Sequence, residues 1–385
     1  MGKFDFIDRE FSRREKADQL RRLRRMTPLE NSRVEIDGRV LINFCSNDYL
    51  GLSQHVQLKE RAAAYLKLYG AGATASRLIC GNYPCFEETE SKLAGLKQKP
   101  AALLLNTGYQ TNATLLPALC DKNSLILSDR LNHNSIIAGC HLSRCTVKQF
   151  DHNNMTALEK LLQENRGKGF SRTVIVTETV FSMDGDTCDM DRLADLAGQF
   201  DAILVVDEAH ATGVFGECGL GLACGDKADV VMGTFGKGCG SFGAYIACSE
   251  QMRDYLINCC PGFIYTTGLP PAVIGAIDAA LDIIPGMNDA RRRLLDNADF
   301  LRQGINDLGL STAASTTQII PVILGEERKA LSLSAWLEEQ GFLAMAIRPP
   351  SVPPEQSRVR ISLSALHDRR DVAALAAAIG QWINR

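Results

Sequence analysis

The chain has 385 residues, a formal net charge of −3 and 13 cysteines. That length supports one large domain with a smaller satellite, and so small a net charge leaves no electrostatic footprint for nucleic acid. The cysteines form no C-x-x-C pair and no Cys/His group with zinc spacing, so they predict reduced thiols in a cytoplasmic protein, with no metal site and no disulfide framework. The charged stretch Lys3–Arg25 is unlike a secretory signal. No run of about 20 apolar residues is available to span a membrane.

Residues 1–45 open with a basic segment, Phe6 to Met26, whose Ile7, Phe11, Leu20 and Leu23 give it a partial apolar face and predict a helix. Val34–Ile42 reads as a hairpin around Asp37-Gly38, a type I′ turn signal. Residues 46–285 alternate helical patterns with short apolar strands. The strands are expected at Ala101–Leu105, Ser124–Leu127, Val174–Thr177, Ile203–Val206, Val230–Gly233 and Ala244–Cys248. This alternation predicts an α/β domain, a mostly parallel sheet with helices on both faces. Residues 286–385 change character. A helix over Ala290–Leu308 leads to strands near Ile319–Leu324, Leu343–Ile347 and Val359–Leu363, then to a helix over Asp371–Ile383, a small α+β domain.

Parallel sheets of this kind bind ligands beyond the carboxyl ends of their strands. Asn106-Thr-Gly-Tyr109, Glu178, Asp207 and Thr234-Phe-Gly-Lys237 all fall at such ends, which predicts one site. Lys237 lies between glycines, where its amine is free to swing and form an imine. Asp207 ends an apolar strand and needs a partner; a protonated pyridine nitrogen is one. Together they suggest pyridoxal 5′-phosphate (PLP), an electron sink held by a lysine imine and an acidic partner. His210, three residues on, could reach the phenolic oxygen, and His133 could stack on the ring. The helix starting near Gly108 offers a phosphate site at its N-terminus.

Two rival motifs fail their context. Asp207-Glu-Ala-His210 would suit a helicase only with a G-x-x-x-x-G-K-[S/T] loop, and none exists. Gly70-Ala-Gly-Ala-Thr-Ala75 has dinucleotide-fingerprint spacing but follows a helical stretch instead of a strand.

Five segments carry a family resemblance over nearly the full length: Asn43–Leu52, Thr177–Asp186, Val206–Gly213, Thr234–Gly238 and Ala346–Pro353, with Arg358–His367 pointing within the family. The chain resembles the α-oxoamine synthases, PLP enzymes with the aspartate-aminotransferase fold (fold type I). The resemblance implies an acyltransferase that condenses L-alanine with a pimeloyl thioester of coenzyme A or an acyl carrier protein, in biotin biosynthesis. It also implies a homodimer. A sister activity such as glycine C-acetyltransferase, a PLP lyase or aminotransferase, and a non-enzymatic PLP-fold protein stay open at this point.

By position, the resemblance makes Lys237, Asp207, His133 and His210 the catalytic set. Gly108, Tyr109, Ser182 and Thr234 would hold cofactor, joined across the dimer by Thr266 and Thr267. Arg360 would receive the amino-acid carboxylate, a task that suits its planar fork. Asn47 and His133 would face substrate, and Arg21, Arg348 and Ser351 would lie near the acyl group. Cys239 departs from the phenylalanine common after the lysine loop, and Ser351 from a threonine.

Overall fold

The computed structural model describes residues 2–385. Two units emerge, one of residues 1–47, 183–185 and 293–385, the other of residues 48–182 and 186–292. The basic N-terminal run is helical only over Asp5–Lys16 (α1), not as far as Met26. Asp18 takes a left-handed backbone, φ 51, which an α-helix cannot continue through, and residues 19–26 are irregular. Strands β1 (Thr27–Leu29), β2 (Arg33–Ile36) and β3 (Arg39–Asn43) follow. Asp37 and Gly38 both have positive φ, 51 and 75, the type I′ geometry that matches strand twist.

The second unit runs α2 (Val56–Tyr69), α3 (Pro84–Lys97), β4 (Ala101–Leu105), α4 (Gly108–Leu119), β5 (Leu125–Asp129), α5 (Asn134–Ser143), β6 (Thr146–Phe150) and α6 (Met155–Asn165). It continues through β7 (Thr173–Glu178), α7 (Met190–Phe200), β8 (Ile203–Asp207), β9 (Val230–Thr234), β10 (Ala244–Cys248), α8 (Glu250–Cys259), α9 (Pro261–Ile264) and α10 (Pro271–Ile283). Its strands form one seven-stranded sheet, order β4-β10-β9-β8-β7-β5-β6. β9, β8, β7, β5 and β6 are mutually parallel, and β10 runs antiparallel to both its neighbours. Every residue of β4 and β10 is buried, as continuous apolar runs must be when helices cover both faces. Apolar patterning does not predict β6. It is an edge strand, Thr-Val-Lys-Gln-Phe, with only Phe150 buried, so it carries no apolar run.

The chain then forms α11 (Asn288–Asp307), β11 (Ile319–Gly325), α12 (Glu327–Glu339), β12 (Phe342–Leu343), β13 (Met345–Ile347), β14 (Ser357–Ser362) and α13 (Arg369–Ile383). The strand expected over Leu343–Ile347 is divided at Ala344. β12 pairs with β3, while β13 pairs with β14, so one apolar run serves two sheets. No helix among the described residues is long and apolar enough to cross a membrane.

Candidate active site

β7 and β8 end together at Glu178 and Asp207, which are paired in the ladder. Their last residues, the turn after β9 and the first turns of α4 and α5 enclose a cavity of about 310 Å³, at the small end for ligand sites. Gly108, Tyr109, His133, Asp207, His210, Thr234 and Lys237 all line it.

Asp207 is 5% exposed. Its Oδ2 accepts from Asn112 Nδ2 at 2.7 Å, and its Oδ1 from the Ala209 N–H at 2.8 Å. Asn112 sits one turn into α4 and also donates to Ser135 Oγ at 3.0 Å. Ser135 Oγ in turn lies 2.8 Å from His133 Nδ1. A buried polar chain thus runs from Asp207 to the imidazole. His133 caps α5, accepting the Ser135 N–H. Burial lowers its imidazole pKa, as does the charge on Lys237, against the pull of Asp207; the ring is neutral near pH 7. His210 Nδ1 lies 2.6 Å from the hydroxyl of the fully buried Tyr49, which sets its orientation.

Lys237 follows β9 by way of Phe235 and Gly236. The backbone of residues 212–213 passes directly against Gly238, where a Cβ on Gly213 would come within 3.1 Å of the Gly238 Cα. Gly213 also has φ +94. Glycines are needed on both sides of this contact. Glu208, the residue after Asp207, is fully buried; its carboxylate accepts the Ala223 N–H at 2.8 Å as well as the Leu222 N–H and pairs with the buried Lys97. His152 bridges Asp129 at 3.0 Å and Asp186 at 2.8 Å. Burial opposes its charge, but the bonds to the two carboxylates win and push the imidazole pKa up to about 10.

The chemistry of this cavity fits PLP. It offers an amine for an imine, a buried carboxylate for the ring nitrogen and the N-terminus of α4 for phosphate. Thr234 Oγ1 is buried without a hydrogen-bond partner, a donor left over for a ligand. Gly108 has no space for a side chain, since a Cβ there would meet the Thr234 methyl group.

Other predicted residues lie elsewhere. Ser182 is buried but does not line the cavity. Thr266 Oγ1 accepts from Asn106 Nδ2 at 2.9 Å within its own chain, and Thr267 is exposed. In the other unit, Arg21, Arg348 and Ser351 line a second cavity of about 190 Å³ with Gln19 and Ile347. There Arg21 Nη2 donates to Ser351 Oγ at 3.1 Å, and Arg348 donates to the Asp18 carbonyl. Arg360, on β14, donates to Asn47 Oδ1 from Nη1 and Nη2, both at 3.2 Å, and to Ser362 Oγ at 2.6 Å. Cys239 is fully buried, which pushes its thiol pKa up to about 12.

Sequence reasoning does not single out Asn112, Ser135 or Tyr49. Asn112 follows Gly108 by one helical turn and Ser135 is two residues past His133, so helix periodicity and capping rules could place them. Nothing local pairs Tyr49 with His210.

The aminotransferase class I and II family model matches residues 39–379. A relative from Desulfosudis oleivorans, provisionally named 8-amino-7-oxononanoate synthase, is 64% identical, with 99% of each chain covered. A solved structure of SPT with PLP internal aldimine superposes with a TM-score of 0.93 at 24% identity, covering 100% of this chain and 99% of the other, a likeness of fold. A solved 8-amino-7-oxononanoate synthase from Francisella tularensis superposes with a TM-score of 0.78 at 26% identity, covering 89% of this chain and 98% of the other. The chain belongs to the class I and II aminotransferase family of PLP-dependent, fold type I enzymes and, within it, to the α-oxoamine synthases that include the 8-amino-7-oxononanoate synthases.

Proposed function

We infer that this protein is a PLP-dependent acyltransferase that condenses L-alanine with a pimeloyl thioester. The products are 8-amino-7-oxononanoate, CO2 and free thiol, a step of biotin biosynthesis. The observation that carries this reading is the strand-end cavity joining Lys237 to Asp207, in a chain whose full-length relative bears that enzyme's name.

PLP, when bound, supplies the electron sink that stabilises negative charge at the amino-acid Cα. Lys237 would tether it through an imine and, as a free amine, would take the Cα proton of alanine and return a proton to that carbon after CO2 is lost. Asp207 keeps the pyridine nitrogen protonated, held in place by Asn112 and the Ala209 N–H. His210, oriented by Tyr49, offers Nε2 to the phenolic oxygen. His133, neutral and anchored at Nδ1, presents a flat face for stacking. The N-terminus of α4 and Thr234 would bind phosphate. Arg360, steadied by Asn47, receives the alanine carboxylate, and Arg21, Arg348 and Ser351 receive the acyl group.

The acyl carrier is coenzyme A or a carrier protein, and the protein works in the cytoplasm as a homodimer with Thr266 and Thr267 completing the partner's site. Half-exposed Tyr109 and Phe242 at the cavity rim support the dimer, since exposed aromatics in one neighbourhood mark an interface. Release of CO2 or thiol from a pimeloyl thioester, compared with alanine and glycine, tests the activity. Alanine should be preferred; glycine ranked first would move the protein to a glycine C-acetyltransferase-like activity.

A further inference from the structure

Glu178 has no task in the chemistry above. It is nevertheless the last residue of β7, 2% exposed, and part of the cavity wall. Its partner in the parallel ladder is Asp207. Residues at one register of adjacent strands project from the same face, with backbones roughly 5 Å apart, so two carboxyls stand side by side at the cavity. Their hydrogen bonds differ. Both Asp207 oxygens accept N–H donors, an arrangement that suits an anion. Glu178 Oε1 accepts the His133 backbone N–H at 2.6 Å. Two buried carboxyls this close do not both ionise at low cost, and one of them takes a proton.

The same bonds hold His133 from two sides. Its imidazole is tied through Ser135 and Asn112 to Asp207, and its main chain is tied to Glu178.

We propose that Glu178 is a positioning residue of the cofactor site, a neutral carboxylic acid that fixes the His133 main chain through its carbonyl oxygen and leaves Asp207 as the single anion available to the pyridine nitrogen. The other titratable groups around Glu178 are Lys237 after β9, His133 before α5 and Asp129 at the end of β5. Burial, then the Asp207 charge, raise the Glu178 pKa well above the carboxylate range; Lys237 and the His133 N–H oppose them and are outweighed. The proposal rests on PLP occupying this cavity and adds a residue that the PLP chemistry does not itself require.

A neutral acid and an anion respond differently to amidation. Glu178→Gln keeps the shape, the acceptor and the zero charge. It should leave the pH midpoint of the bound cofactor's visible absorbance within about half a unit of wild type, whereas removing a true anion would move it by roughly 1–3 units. Glu178→Ala keeps neutrality but loses the acceptor. It should weaken PLP binding about tenfold, and glutamine should rescue that loss. Infrared spectroscopy of the cofactor-free protein gives a second readout: a protonated-carboxyl band in wild type at neutral pH, missing in E178Q. A folded wild type without that band, or a unit-scale midpoint shift in E178Q, overturns the proposal. A wild-type protein that gains no visible absorbance with PLP overturns the cofactor assignment and this proposal with it, and shows itself before any substitution is made.

Discussion

The cavity that holds Lys237 and the cavity that holds Arg348 are built in opposite ways. The first is assembled from the ends of β7, β8 and β9 and the first turns of α4 and α5, and its groups are tied to one another through Asn112, Ser135 and Tyr49. The second is lined mostly by residues without regular structure, Gln19, Arg21, Arg348, Pro349 and Ser351, beside the end of β13, and its Arg21 is exposed. A strand end fixes a side chain to within the tolerance that bond-making needs. A loop can change its residues without disturbing a core. Chemistry common to a family belongs in the first kind of place, and recognition of one substrate belongs in the second.

The sharpest way to break this contrast is Lys237→Ala. Turnover should fall by more than about a thousandfold, while the melting temperature stays near that of wild type because a glycine-flanked lysine contributes little packing. Retained turnover with alanine and a pimeloyl thioester would remove Lys237 from the mechanism.

Lys97→Met asks whether the strand that ends at Asp207 depends on the ion pair made by the next residue, Glu208. Lys97 is 1% exposed, pairs with Glu208 and donates to the Leu220 carbonyl. Without it a buried carboxylate is stranded, at a cost of roughly 3–5 kcal/mol in urea denaturation. Replacing Glu208 as well should not restore stability, since the Leu222 and Ala223 N–H groups then lose their acceptor. Recovery in the double variant would show that these amides find other partners.

Arg348→Ala sharpens the comparison from the other side. The KM for the thioester should rise about tenfold with alanine Cα deuterium exchange unchanged. Equal losses in both measurements would mean that the two cavities do not divide the labour in this way.

The last prediction is read in the pH dependence of stability and concerns His152. Its imidazole is raised to about 10 in the folded chain from an unfolded value of about 6.5. A raised pKa stabilises fully below the unfolded value and is lost as pH climbs through the folded one. His152→Gln should therefore lower the melting temperature most near pH 6, with the gap narrowing toward pH 10. A gap that stays constant over that range would assign His152 to packing against Phe181 in place of ion pairing.

The sequence by itself determines the fold class, the cofactor and the family. Apolar runs of strand length separated by helical patterns admit few architectures, and Lys237 between glycines with Asp207 ending an apolar strand is a pairing that few other chemistries use. It also places the Asp37-Gly38 hairpin, because a type I′ turn is a property of two adjacent residues. Tertiary structure decides whatever depends on distant partners. It makes polar Thr146–Phe150 an edge strand and divides Leu343–Ile347 between two sheets. It brings Tyr49 to His210 and Asn112 to Asp207, and it sets Glu178 beside Asp207. Local propensity and periodicity are written along the chain, but burial and the spacing of like charges exist only between segments that folding brings together.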